Sequence, residues 1–180
     1  MPAPSASFKK AIKQLSDKEK ETLLLKAVRR DAELYDMFSY ELGERTLEEI
    51  QEQSQDTIHE LLLNATGRSL TKALAKALRK AVKEIARFKR VTKDPKAEIE
   101  LHLYVLGIIF DNYTGQFDSY YKVFYTSTAR LLLRTMQLIK KNLHEDYHLE
   151  YKDTIDDYLT QIGNRNKPLP FALPKEFELE

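Results

Sequence analysis

Apolar residues along this chain recur three and four positions apart almost throughout, the repeat that gathers one face of a helix with 3.6 residues per turn. The spacing predicts a short helix over 6–14, then helices over 17–30, 32–42 and 47–65. The last of these is expected to bury Leu47, Ile50, Ile58 and Leu61 and to show Glu48, Glu52, Asp56 and Glu60 on its other face. A regular helix over 68–93 follows, with Leu70, Leu74, Ala77, Ala81, Ile85 and Phe88 on one arc. The segment 95–112 contains LHLYVLGIIF, apolar nearly all round, and is expected at the centre of the core. Gly107 within it costs about 1 kcal/mol relative to Ala, which implies that a neighbouring helix passes close there. A long helix is predicted over 117–144, with Phe124, Leu131, Leu132, Leu138 and Ile139 inward, and a last one over 148–162.

Local punctuation agrees with helices. Ser16 with Glu19 and Thr46 with Glu49 are capping boxes, and Asp94-Pro95 reads as an N-cap followed by a proline in the first turn. Gly43, Gly67, Gly115 and Gly163 follow periodic stretches, where helices end. No stretch joins strict alternation to a hairpin turn, so no sheet is expected. After residue 163 the pattern changes. Pro168, Pro170 and Pro174 exclude a helix, while Leu169, Phe171 and Leu173 alternate. The reading is an all-α single domain of about seven helices in antiparallel hairpins, an irregular bundle or short superhelix over 1–163. An extended tail, 164–180, is strapped across it with Phe171 buried, or exchanged as an arm in a homodimer.

Three stretches, LSDKEKETLLLKAVRRDAELYDMF, FKRVTKDPKAEIELHLYVLGIIFDN and YYKVFYTSTARLLLRTMQLIKKNL, are spread between residues 15 and 143. In the spacing of apolar and aromatic positions they resemble an all-helical bacterial family of uncharacterised function. The resemblance implies a helical domain and assigns no activity to any residue.

Composition narrows the classes. The 180 residues include no Cys, which removes disulfides, thiolate metal sites and cysteine nucleophiles. The start, MPAPSASFKKA, has no secretory apolar region, and the longest apolar run, over 103–110, falls far short of the ~20 residues that span a bilayer. A cytoplasmic protein without membrane association is expected. The net charge of +1 hides strong segregation. Residues 68–93 carry ten basic side chains against one acid, Glu84, for a local charge of +9, between flanks of −4 each. On the helical projection Lys72, Lys76, Arg79, Lys80, Lys83, Arg87 and Arg90 form a ridge about 27 Å long at 1.5 Å rise per residue.

Such a ridge suits nucleic-acid phosphates or another polyanion. Its own like charges repel by roughly 0.2–0.5 kcal/mol per pair, which the acidic stripe Glu48, Glu52, Asp56 and Glu60 would offset if the two helices paired along their flanks. That internal neutralisation is the expectation, and with it a non-enzymatic protein that acts through a protein partner. Nucleic-acid or polyanion binding is the alternative. The run His144-Glu145-Asp146-Tyr147-His148 matches H-E-x-x-H, in which two histidines one helical turn apart hold zinc and the glutamate serves as base. It would make the chain a metal-dependent hydrolase. Against this, Asp146 and Glu150 charge the surroundings, and Tyr151 and Thr154 stand where the extended motif needs Gly and His. The run also straddles two predicted helices, so no tight metal site, cofactor or catalytic residue is expected. Finally, Tyr104, Phe110, Tyr113, Phe117, Tyr120, Tyr121, Phe124 and Tyr125 crowd one stretch, where core packing explains them and base stacking beside a basic groove is the alternative.

Overall fold

Capping chemistry sets most of the helix starts in the computed structural model, which describes residues 3–165 and 167–178. Both capping boxes form. The Ser16 and Thr46 hydroxyls accept from the Glu19 and Glu49 backbone N–H groups, and each glutamate returns a bond to the cap. Asp31 and Asp94 also accept from first-turn backbone N–H groups, without a returned bond, the latter with Pro95 in the first turn. The α-helices are α1 (Ala6–Gln14), α2 (Asp17–Val28), α3 (Ala32–Glu41), α4 (Leu47–Leu63), α5 (Leu70–Thr92), α6 (Pro95–Asn112), α7 (Val123–Asn142) and α8 (Glu145–Gly163). Among the described residues there is no strand, and the fold is all-α. No helix of the described residues is long and apolar enough to cross a membrane.

Two compact units make up the chain, residues 1–45 and 46–180. In the first, α2 packs on α3, and Asp36 pairs with Arg45 at 2.9 Å. The chain leaves α3 through Gly43 at φ +73°, a left-handed turn that suits glycine. No apolar side chain of the described residues 3–45 is buried. Phe8, Leu23, Leu24, Leu25, Tyr35 and Leu42 are exposed.

The second unit holds the core. Helices α4 and α5 form a hairpin across the short link 64–69, antiparallel because Ser54 bonds Glu84 while Leu61 lies beside Ala73 and Ala77. The face of α4 turned inward is Ile50, Ser54, Ile58 and Leu62, so Leu62 takes the place expected for Leu61. Leu47 and Leu61 are half-buried, and Leu70 at the start of α5 is exposed. Helix α6 packs on α4, α5 and α7, with Ile99, Leu101, Val105, Leu106 and Ile109 fully buried, as its nearly uninterrupted apolar run implies. Over Gly107 lies a side chain, not a helix backbone. The Tyr158 hydroxyl is 3.6 Å from where a Cβ would stand, and the Tyr158 ring stacks on Phe110 at 4.1 Å.

The helix predicted over 117–144 starts later. Thr114–Asp118 is a 3-10 turn, and α7 begins at Val123. Phe117 is nevertheless fully buried from that turn, 5.7 Å from each of Phe110, Phe124 and Tyr125. Two tyrosine hydroxyls close helix ends. Tyr113 donates to the Leu62 carbonyl and Tyr125 to that of Ile162, each at 3.1 Å, so two C-terminal carbonyls gain partners. The extended tail packs on its own chain through a residue other than the expected one. Phe177 is fully buried, whereas Leu169, Phe171 and Leu173 are half-buried.

Candidate functional site

Helix α5 divides as its pattern requires. Leu74, Leu78, Ala81, Ile85 and Phe88 are buried, and the cations two positions away, about 200° around the helix, point outward. Lys72, Lys76, Arg79, Lys80 and Lys83 are all exposed. None of them has a carboxylate partner among the described residues; the Arg79 Nε bonds only the Ala75 carbonyl, at 3.4 Å. The first turn of α5 contains no acid, so the partial positive charge of the helix start adds to that of Lys72.

Internal neutralisation by α4 is not the arrangement found. The inward face of α4 is fixed by Ile50, Ser54, Ile58 and Leu62, and Glu48, Glu52, Asp56 and Glu60 sit two positions from these. They too point about 200° from the packed face, so both charged stripes are exposed and no ion pair joins them among the described residues. The cations that are engaged lie near the carboxyl end of α5. Arg87 is half-buried against both Glu84 oxygens, its Nε at 3.0 Å from each, and reaches the Ser54 hydroxyl at 3.5 Å. Lys89 pairs at 2.8 Å with Glu98, a carboxylate otherwise sealed in the core. Arg90 is exposed and has an interaction of its own. The ridge predicted over 72–90 is therefore open over 72–83, about 17 Å at 1.5 Å per residue.

At the amino end of this open stretch, the Lys72 Nζ lies 4.1 Å from the centre of the Tyr121 ring. The aromatic cluster splits here. Phe110, Phe117, Phe124 and Tyr125 are core residues, while Tyr120 and Tyr121 lie outside, 92% and 44% exposed. Periodicity alone does not separate the two groups, because the irregular loop 119–122 breaks the helical repeat between them.

The two motif histidines occupy different environments. His144 precedes α8 as its N-cap, with its Nδ1 accepting from the Asp146 N–H at 3.4 Å, and is exposed. His148 lies within α8, buried, with its Nε2 3.1 Å from the Leu143 carbonyl and its ring beside Phe177. One helix does not present both rings as H-E-x-x-H chemistry requires, and Glu145 is exposed in the first turn. Among the described residues no group of three or more His, Asp or Glu is placed to hold a metal ion. Of the remaining histidines, His59 is exposed and His102 is sealed in the core.

Comparison of the chain with protein-family models, curated proteins and solved structures finds no match.

Proposed function

We propose that the 46–180 unit binds nucleic acid through phosphate contacts along Lys72, Lys76, Arg79, Lys80 and Lys83. One observation carries this reading. Five cations within three helical turns face solvent with no carboxylate partner among the described residues, although an acidic stripe lies on the adjoining helix. Their mutual repulsion is then left for an external anion to relieve, and each phosphate neutralised releases a counterion. Duplex DNA should bind with log K falling linearly in log salt, with a slope of about −4 to −5 for five contacts at ~0.9 per phosphate. Reversing Lys76, Arg79 and Lys83 to Glu should abolish retention at low salt and leave the melting temperature nearly unchanged, because these side chains carry no internal pair. A large loss of stability in that variant, or wild type that shows no retention at low salt, would reject the reading.

A non-enzymatic protein-interaction role is the second reading, and the first unit favours it. Leu23, Leu24 and Leu25 are consecutive and exposed, and Phe8 and Leu42 are exposed with them. A partner that covers them would remove this apolar surface from water. Pull-down of a partner that Leu23→Asp, Leu24→Asp releases would support it.

A further inference from the structure

We infer that Tyr120 and Tyr121 form a base-stacking platform at the amino end of the ridge, so that the nucleic acid taken is single-stranded. This rests on the phosphate-binding reading above and names its substrate class. The loop that carries the two rings is fixed from several sides. Behind it, Phe117 is fully buried. The Lys167 ammonium donates to the Phe117 and Ser119 carbonyls, the second at 2.9 Å. Arg165 pairs with Asp118, and Thr71 in the first turn of α5 bonds the Gln116 side chain at 2.9 Å. The 3-10 turn is thereby tied directly to the start of the basic helix.

On this braced loop the rings point away from the core. They meet edge to face, with centres 5.9 Å apart and planes at 79°. Lys72 covers part of Tyr121, while Tyr120 keeps nearly all of its surface in water. One exposed tyrosine is unremarkable by itself. Here two adjoin the first cation of an open track of positive charge, and the same lysine belongs to both features. A strand whose phosphates follow Lys72 to Lys83 brings its terminal bases to the loop. Paired bases inside a duplex hide their faces, whereas an unpaired base offers one to Tyr120. Every base has such a face, so little sequence preference is expected.

The test compares a labelled oligothymidine, a duplex of mixed sequence and inorganic polyphosphate by fluorescence anisotropy on the full chain. Wild type should prefer the single strand, with a salt slope nearer 0.7 per phosphate than 0.9. Tyr120→Ala should weaken the single strand roughly 5- to 150-fold, the range for one lost base stack, and leave duplex and polyphosphate unchanged. Tyr120→Phe, which keeps the ring face, should restore binding. At 92% exposure Tyr120 contributes nothing to the core, and unchanged circular dichroism would confirm that Tyr120→Ala is folded. If wild type binds all three probes in a salt-dependent way and Tyr120→Ala alters none, the stacking platform is wrong while the phosphate track stands. If no probe binds at low salt, both fall.

Discussion

His102 shows how one buried side chain sets a dependence on acidity. Its ring is 1% exposed, and neither ring nitrogen has a hydrogen-bond partner. Burial, then the charges of Arg134 and Lys89, lower its pKa from 6.5 to about 4. This holds although the Glu98 carboxylate stands 3.9 Å away, too far to bond but near enough to favour a proton. Because the folded value lies below the unfolded one, the unfolded chain takes up a proton that the folded chain refuses. Stability is therefore whole above pH 6.5 and declines as the pH falls toward 4, by on the order of 3 kcal/mol at 1.36 kcal/mol per pKa unit. Urea unfolding at pH 7 and pH 4.5 measures the decline. His102→Leu, which removes the titrating ring, should flatten it. Equal losses in wild type and variant would assign the acid sensitivity elsewhere. The sequence marks His102 only as a histidine in an apolar run. Which charges surround it depends on where α5 and α7 pack, and that is written in no local pattern.

At the scale of elements, starts and faces were legible wherever local chemistry decides them. Ser16, Thr46 and Asp94 cap where their spacing to Glu19, Glu49 and Pro95 places them. The two-position offset between Glu52 and Ile50, or Lys76 and Leu74, already implies that the acidic and basic stripes both face away from the packed side. The expectation that they pair gave too much weight to proximity along the chain and too little to angle. Ends were less legible. Helix α5 stops with Lys93 at φ +58°, a left-handed conformation with no glycine to announce it. Phe117 keeps the spacing of a helix yet is buried from a 3-10 turn, so its periodicity does not mark the start of α7. The tail shows the same limit. Its alternation singles out Phe171, but Phe177 is held by a clasp that only tertiary structure makes. The Phe177 N–H donates to Asp156, its carbonyl accepts from Lys152 at 2.9 Å, and Lys152 pairs with Asp156 at 2.8 Å. Burial raises the pKa of Asp156, but the bonds from Lys152 and Phe177 outweigh it and hold the carboxyl below its ordinary range. Phe177→Ala should destabilise by about 3–5 kcal/mol, as for other fully buried Phe deletions. Phe171→Ala, with its half-buried ring 5.4 Å from the Arg130 guanidinium, should cost far less. Equal losses in chemical denaturation would show that the buried Phe177 ring is not the anchor of the tail.

Across the whole molecule, apolar burial and charge are distributed very differently. Every buried apolar side chain among the described residues, from Ile50 to Phe177, belongs to the 46–180 unit. The net charge of +1 is the sum of three segments that differ widely, so the field a ligand meets is local to α5. Segregation of charge was plain in the sequence, whereas the division at residue 45 was not. Helices α1–α3 are read from the same kind of spacing as the later ones, and periodicity reports which residues share a face without saying what covers it. A fragment comprising residues 46–180 should therefore melt cooperatively and keep most of the stability of the full chain, since it retains the entire apolar core and both partners of the Phe177 clasp. Residues 1–45 alone should show weak, gradually melting helicity. Helices of 9 to 12 residues without buried apolar contacts are marginal in water. Circular dichroism on the two fragments tests this division. If 46–180 fails to fold while the full chain unfolds in one sharp transition, residues 1–45 supply stabilisation that their exposed leucines do not account for. If the salt-dependent nucleic-acid binding proposed for the full chain is measured and 46–180 retains it, it lies within the unit that carries the ridge. Its loss from a folded fragment would mean that the cations of α5 do not suffice for it.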